Sequence, residues 1–413
     1  MKLLALMLCS IVLSGCSVAN YVRLKYENDD IKPQWQGQKT SAQIKADTGV
    51  KPYVYISING IKGFKMMLDT GASVSFLKDS EKVKSLSLKE GYPLEVGGWG
   101  DGKNSHGFQT DVESIKLGDV RFEDVSFAYL PVSQSEYFLR PDEAVYDGIL
   151  GHDIMKHFAW HIDPRKGTIE IASKPYISTD KDITIPMRVF LSKLYFDSTI
   201  DLGNNQIMEH EILLDTGSRH YFKLNNYYVQ DEGYSFNGVT VTGSDFGLSG
   251  QTIHQRGTIP KLQISDLTLQ NVKTNFIEGG DDGKSVIGSS ALSHFSYVID
   301  YHNLKLHLKP YKSATFKARY NLLGMELRKL TNGAFVVRYI MPEMAAFGSG
   351  IKVGDEVVSF NGQSASEFGQ KEWLELSATV GKHTLCISRN RLCFDLTAKN
   401  VDGYSINAGR AKL

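Results

Sequence analysis

Two short stretches hold the residues best suited to chemistry. The first is Lys65-Met66-Met67-Leu68-Asp69-Thr70-Gly71-Ala72-Ser73. The second is Glu211-Ile212-Leu213-Leu214-Asp215-Thr216-Gly217-Ser218-Arg219. Each is an apolar run ending in Asp-Thr-Gly. One such tripeptide reads as an ordinary turn. Two of them, each after an apolar strand, indicate a pair that meets, because a carboxylate at the end of a buried strand is costly unless satisfied. Two carboxyls sharing one proton can act on a carbonyl and a water together. The ionised one takes a proton from water and the protonated one donates to the carbonyl oxygen. Like charges that close do not both ionise easily, so the pair titrates in two macroscopic steps. Gly71 and Gly217 let the backbone turn tightly beside the carboxylates. The Thr70 and Thr216 hydroxyls can fix the two loops against each other.

The surrounding elements read as short strands. Tyr53 to Ile58 is β-branched and aromatic, Asn59-Gly60 is a hairpin signal, and the returning strand ends at Asp69. Ile115 to Val120 and Phe122 to Phe127 follow, then Ile149-Leu150-Gly151 and a short helical segment from Asp153 to Phe158. The same order recurs: a strand ending at Asp215, then Leu262-Gln263-Ile264, Leu267-Thr268-Leu269 and Val286-Ile287-Gly288. Matching landmarks are displaced by 146, 137 and 137 residues, the signature of an internal duplication. Two copies imply a pseudo-twofold arrangement.

The chain has 413 residues, enough for two or three domains, and 42% hydrophobic residues is ordinary for a globular protein. Lys plus Arg and Asp plus Glu are both 46, so the basic excess of a nucleic-acid-binding surface is missing and no nucleic acid is expected as a partner. His152, His157 and His161 lie close together without zinc-type spacing, and no Gly-x-Ser-x-Gly elbow or Walker loop occurs. Neither a metal nor a cofactor is expected.

On the paired Asp-Thr-Gly and apolar-apolar-Gly motifs, residues 50–310 resemble the lobes of aspartic proteases of the retropepsin-like kind. The resemblance implies that Asp69 and Asp215 are the catalytic pair and that Thr70 and Thr216 bond across the lobes. Ile149-Leu150-Gly151 and Val286-Ile287-Gly288 would pack behind the catalytic loops, and the substrates would be proteins or peptides. The family also has a flap, for which Val96 to Gly102 and Val241 to Gly247 are the candidates. The alternative for each is a plain surface loop. Trp99 is placed to cover a substrate backbone. Arg219 and His220 depart from the small and hydroxyl residues usual after the motif. They are expected near the substrate subsites, favouring an acidic or polar side chain and lowering the dyad's pKa values. The alternative for Arg219 is solvent exposure or a structural pair.

Two further resemblances flank this region. Met1-Lys2, the apolar run Leu3 to Leu13 and Leu13-Ser14-Gly15-Cys16 resemble a bacterial lipoprotein signal, implying lipidation of Cys16. The alternative is an ordinary secretory signal. Ser17 after the cysteine leans towards the outer membrane. Leu322 to Lys399 resembles a PDZ domain through Leu323-Gly324-Met325 and the run from Gly350 to Gly362. In that family the first loop cradles the carboxylate of a C-terminal peptide, added as a strand to a sheet edge. The alternative is a docking domain whose groove the chain itself fills. Cys386 and Cys393 fall opposite one another about a turn at Arg389-Asn390, so they form either a cross-strand disulfide or two free buried thiols.

The expected class is mainly β: two duplicated pepsin/retropepsin-like lobes in pseudo-twofold arrangement plus a small PDZ domain. The expected division is 1–15 signal peptide, 16–47 polar tether, 48–180 and 181–312 the two lobes, 318–400 the PDZ domain and 401–413 a tail. The function expected is an aspartic endopeptidase, lipid-anchored and facing the periplasm, whose PDZ module recruits or gates substrate. The rival is a weakly catalytic, peptide-binding envelope lipoprotein.

Overall fold

A computed structural model describes residues 19–131, 143–278, 284–312 and 316–401. The expected signal, the lipidated Cys16 and all of the expected tail after Val401 lie outside the described residues. Among the described residues no helix is long and apolar enough to cross a membrane.

Strand-forming alternation dominates. Tyr53–Ile58 buries every second residue, with Val54, Ile56 and Ile58 turned inward. It forms a hairpin with Ile61–Leu68 about Asn59-Gly60, both in left-handed conformation. Ile61–Leu68 continues into a parallel pairing with Gly148–Leu150, in the register Gly148 to Met66 and Leu150 to Leu68. Phe76–Lys78 lies antiparallel on the far side of Gly148–Leu150. The second half repeats this. Gln206–Asp215 pairs in parallel with Val286–Gly288, and Phe222–Asn225 lies antiparallel beyond it. Gly148–Leu150 and Val286–Gly288, between the other two strands of each half, are buried on both faces, which explains their short apolar runs.

A third, six-stranded sheet joins the halves. Its central neighbours are Ala159–Asp163 from the first and Phe295–Asp300 from the second, antiparallel, with Trp160 opposite Ile299. Its outer strands are Ser41–Ile44, beside Thr168–Ala172, and Ile183–Pro186, beside Lys305–Pro310. Each half therefore contributes an equivalent leading strand.

This corrects the expected tether over 16–47. Residues 19–27 are helical with Leu24 buried, and Gln34–Trp35, Ser41–Ile44 and Ala46–Asp47 are all paired strands. Ser41–Ile44 turns only Ala42 and Ile44 inward. Four residues with two apolar side chains are too short a period to stand out from a polar background.

The C-terminal unit is a separate six-stranded sheet ordered Met325–Lys329, Phe335–Ile340, Glu356–Phe360, Gly381–Ile387 and Cys393–Ala398, with Gln363–Ser364 beside the third. The helix Gln370–Ser377 buries Trp373 against Phe335 and Phe360. Gly381–Ile387 and Cys393–Ala398 pair with Cys386 opposite Cys393, and a disulfide joins them. The connection is longer than a two-residue turn, with Asn390 and Arg391 both left-handed. The closed loop is short, so its removal should cost this domain only about 2 kcal/mol. Unfolding with and without reductant measures this: the C-terminal transition should move down by that amount and the rest of the melt should not.

Candidate active site

Asp69 leaves the strand Ile61–Leu68 at the point where its amide donates to Leu150 O, at 3.1 Å. Asp215 ends Gln206–Asp215 opposite Gly288. Both loops then turn on their own carboxylates: Gly71 N donates to Asp69 Oδ1 at 2.9 Å, and Ser218 N to Asp215 Oδ1 at 3.0 Å. Each aspartate thus has one oxygen held by backbone, and the two side chains are within hydrogen-bonding reach of each other.

The threonines between them make a reciprocal lock. Thr70 Oγ1 donates to Leu214 O at 2.6 Å and accepts from Thr216 N at 3.1 Å. Thr216 Oγ1 donates to Leu68 O at 2.7 Å and accepts from Thr70 N at 3.1 Å. Both threonines are fully buried. A hydroxyl is needed because only it can donate to a carbonyl and accept from an amide at one atom. The glycines do something the sequence does not show. A Cβ on Gly217 would come within 2.3 Å of Asp69 Cγ, and one on Gly71 within 2.9 Å of Asp215 Cγ. Each glycine is therefore the space in which the opposite carboxylate sits.

Burial, then the neighbouring Asp215, pushes Asp69 up to about 8, against a partial opposing pull from Lys51. At Asp69 the lowering expected from Arg219 is not met: burial and the neighbouring Asp215 outweigh the cation beside it, which is Lys51. Lys51 and Lys223 are lysines that motif reasoning missed. Burial lowers both, Lys223 to about 8, and Asp215 is among the charges that oppose this. Lys223 leaves a trace in sequence, as a lysine inside Phe222-Lys223-Leu224.

The two candidate flaps touch each other. Pro93–Val96 and Ser105–Leu117 form the first hairpin. In the second, Val241–Gly247 is a strand rather than a tip, and the tip is Leu248-Ser249. Ser249 N donates to Trp99 O at 2.9 Å, Gly98 N to Ser249 Oγ at 3.1 Å and Gly102 N to Ser249 O at 2.7 Å. The Trp99 ring lies under Lys223 Nζ, 3.4 Å from its centroid.

Arg219 and His220 diverge. His220 Nε2 lies 2.7 Å from Asp245 Oδ2, and its Nδ1 is 3.0 Å from Ser218 Oγ. Burial lowers it to about 3 against the opposing pull of Asp245, and its ring is turned to Asp245 and Ser218. Asp245 also receives Arg256, at 3.3 Å, and Asn275, at 3.1 Å. Arg219 points instead to the C-terminal domain, where Nη2 is 2.6 Å from Glu326 Oε2. Glu326 and Arg256 were invisible as site residues, since alternation alone marks Glu326 as an outward strand position. In the Leu323-Gly324-Met325 loop, the Gly324 amide donates to Asn321 Oδ1 at 3.0 Å, and Leu323 and Met325 are buried. Among the described residues no group of three or more His, Cys, Asp or Glu could hold a metal ion.

Residues 54–154 match the model of a family described as aspartyl protease. The match takes in Asp69-Thr70-Gly71 and Ile149-Leu150-Gly151 but nothing of the second half. No curated protein matches the chain. Among solved structures, the aspartic proteinase from Irpex lacteus is similar over 66% of this chain and 98% of that one, at 14% identity and a TM-score of 0.43.

Thr70→Val strands Leu214 O and the Thr216 amide in a dry interior, so denaturant unfolding should show a loss of about 2–5 kcal/mol, with Thr70→Ser largely spared. Gly217→Ala should be more damaging to the site than Gly71→Ala, because its clash with the opposite carboxylate is closer.

Proposed function

We propose that this chain is an aspartic-type endopeptidase in which Asp69 and Asp215 share a proton and activate water against a peptide carbonyl. One observation carries the reading: each Asp-Thr-Gly loop holds the other through its threonine and leaves, at its glycine, the space for the other's carboxylate. That arrangement has no evident use except to hold two carboxyls in register. The ionised carboxyl takes a proton from water, the protonated one donates to the carbonyl oxygen, and the departing amine then receives a proton from the pair.

The setting we propose is a lipoprotein acylated at Cys16 and facing the periplasm, at the outer membrane. The oxidising compartment suits the Cys386–Cys393 disulfide. The C-terminal domain is read as a PDZ module that recruits or gates protein or peptide substrates, with a C-terminal peptide as its ligand at Leu323-Gly324-Met325. A second reading, peptide capture with poor turnover, is favoured by one feature: the hairpin tips are bonded to each other and the C-terminal domain lies against the cleft.

Cleavage of a mixed peptide pool by the full chain in detergent separates the readings. Asp69→Asn and Asp215→Asn should each lower kcat/KM at least about a thousandfold while the fold is retained. Cleavage that survives both substitutions overturns the mechanism. Because Asp69 keeps its proton to about 8, kcat/KM should hold through neutral pH and fall above that value. The sign for stability is the reverse of an ordinary surface aspartate. The unfolded Asp69 ionises near 4, so the native state is penalised increasingly as pH rises from there towards 8. Asp69→Asn should therefore raise the melting temperature at pH 7 and change it little at pH 4.

A further inference from the structure

The strand Met325–Lys329 alternates: Met325 and Leu327 enter the core of the C-terminal domain, while Glu326 and Arg328 face outward. Outward here means against the two-lobed unit. Glu326 is only 4% exposed, and each of its oxygens takes a different guanidinium: Arg219 Nη2 at 2.6 Å on Oε2 and Arg256 Nη1 at 2.9 Å on Oε1. Arg219 is the second residue after Gly217, on the catalytic loop itself. Arg256 is fixed without any help from Glu326. Its Nη2 reaches Ser244 O at 3.1 Å and Asp245 at 3.3 Å, and its Nε reaches His254 Nε2 at 3.1 Å. The Arg219 backbone is anchored by Ser290 Oγ, which donates to its carbonyl, while its guanidinium takes Glu326. The carboxylate cradle therefore belongs to the lobes, and its occupant comes from another domain.

Charge balance requires an occupant. The cations acting on Glu326 are Arg219, Arg256 and Arg338, and Asp245 is the other anion facing them. Withdrawing Glu326 leaves these guanidiniums facing Asp245 alone, and an uncompensated buried charge is costly. Polar contacts also tie the hairpin of Met325–Lys329 and Phe335–Ile340, and the segment after it, to the lobes. Exposed Thr331 bonds to Glu143 at 2.8 and 2.9 Å, and Glu343 takes Thr242 through its amide and its hydroxyl, both at 3.3 Å.

We propose that Arg219 and Arg256 form a subsite for an acidic side chain of the peptide substrate, and that Glu326 fills it as an internal stand-in which substrate must displace. This rests on the peptidase reading of Asp69 and Asp215. The subsite discriminates a carboxylate from its amide, because only an anion neutralises both guanidiniums.

The test uses the full chain and a set of quenched peptides in which one Glu is walked across the positions flanking the scissile bond, each with a Gln counterpart. One position should show a Glu-over-Gln preference of about tenfold in kcat/KM, and Arg219→Gln should abolish that preference. Glu326→Gln should raise kcat/KM for the Glu peptide more than for its Gln partner. Should Glu326→Gln fail to fold, Thr331→Ala loosens the same hairpin from an exposed position and should raise Glu-peptide cleavage with the preference intact. A preference that persists in Arg219→Gln, or no gain in the folded hairpin variants, overturns the proposal. If no peptide is cleaved, anisotropy with the labelled peptides decides. Arg219-dependent binding of the Glu peptide would keep the subsite and discard the peptidase reading. Equal binding of both peptides would discard both.

Discussion

The structure depends on the crossing of two threonine hydroxyls between two strand ends. Thr70 and Thr216 each bond a carbonyl and an amide of the opposite loop in a site closed to water. Four hydrogen bonds of this kind bring only a few kcal/mol net, but leaving their buried partners unmade costs more than making them gains. The lock is therefore a constraint on geometry more than a source of stability. With it in place, each aspartate falls into the space left by the other loop's glycine. The six-stranded sheet beneath, where Ala159–Asp163 meets Phe295–Asp300, fixes the same pseudo-twofold relation from the other side. Two carboxyls are thus held together against their own repulsion, which is why burial and mutual proximity raise Asp69.

The packing of the two carboxyls has consequences further out. Lys51 and Lys223 stand beside the dyad, where burial lowers both against the pull of Asp215. Acidic groups on separate elements meet the arginines: Asp245 on the strand Val241–Gly247 takes Arg256, and Glu326 on the C-terminal domain takes Arg219 and Arg256. Burial lowers His220 to about 3 and His254 to about 4, and Asp245 is shared by His220, Arg256 and Asn275. Arg338 stacks over Phe246 at 3.9 Å, and Val241 joins the apolar cluster of the C-terminal domain, so the strand Val241–Gly247 and that domain form one continuous contact. Access to the dyad and the placement of the C-terminal domain are in this way one electrostatic problem.

Much of this was legible in the sequence where the signal was local. Two apolar strands ending in Asp-Thr-Gly, each followed by an apolar-apolar-Gly element at near-constant offset, indicate both the loops and their partners. The parallel pairings Leu150 to Leu68 and Ile287 to Leu214 are what those runs encode. What escaped was short or long-range. Ser41–Ile44 has too few residues to show its period, so the first repeat begins earlier than the motifs indicate. Val241–Gly247 has the glycines of a tip yet pairs along its whole length, because the turn needs only Leu248-Ser249. Glu326 is an unremarkable strand residue whose role comes entirely from Arg219 and Arg256, 107 and 70 positions away in the chain.

The central claim is that Asp69 and Asp215 hold a single proton between them through neutral pH. Infrared difference spectroscopy during a pH titration of the full chain reads it directly, through the carbonyl stretch of a protonated carboxyl. The account predicts one such band persisting at pH 7, vanishing as pH passes about 8, and absent at pH 7 from Asp69→Asn. Loss of every protonated-carboxyl band by about pH 5, the behaviour of two independent aspartates, would contradict it.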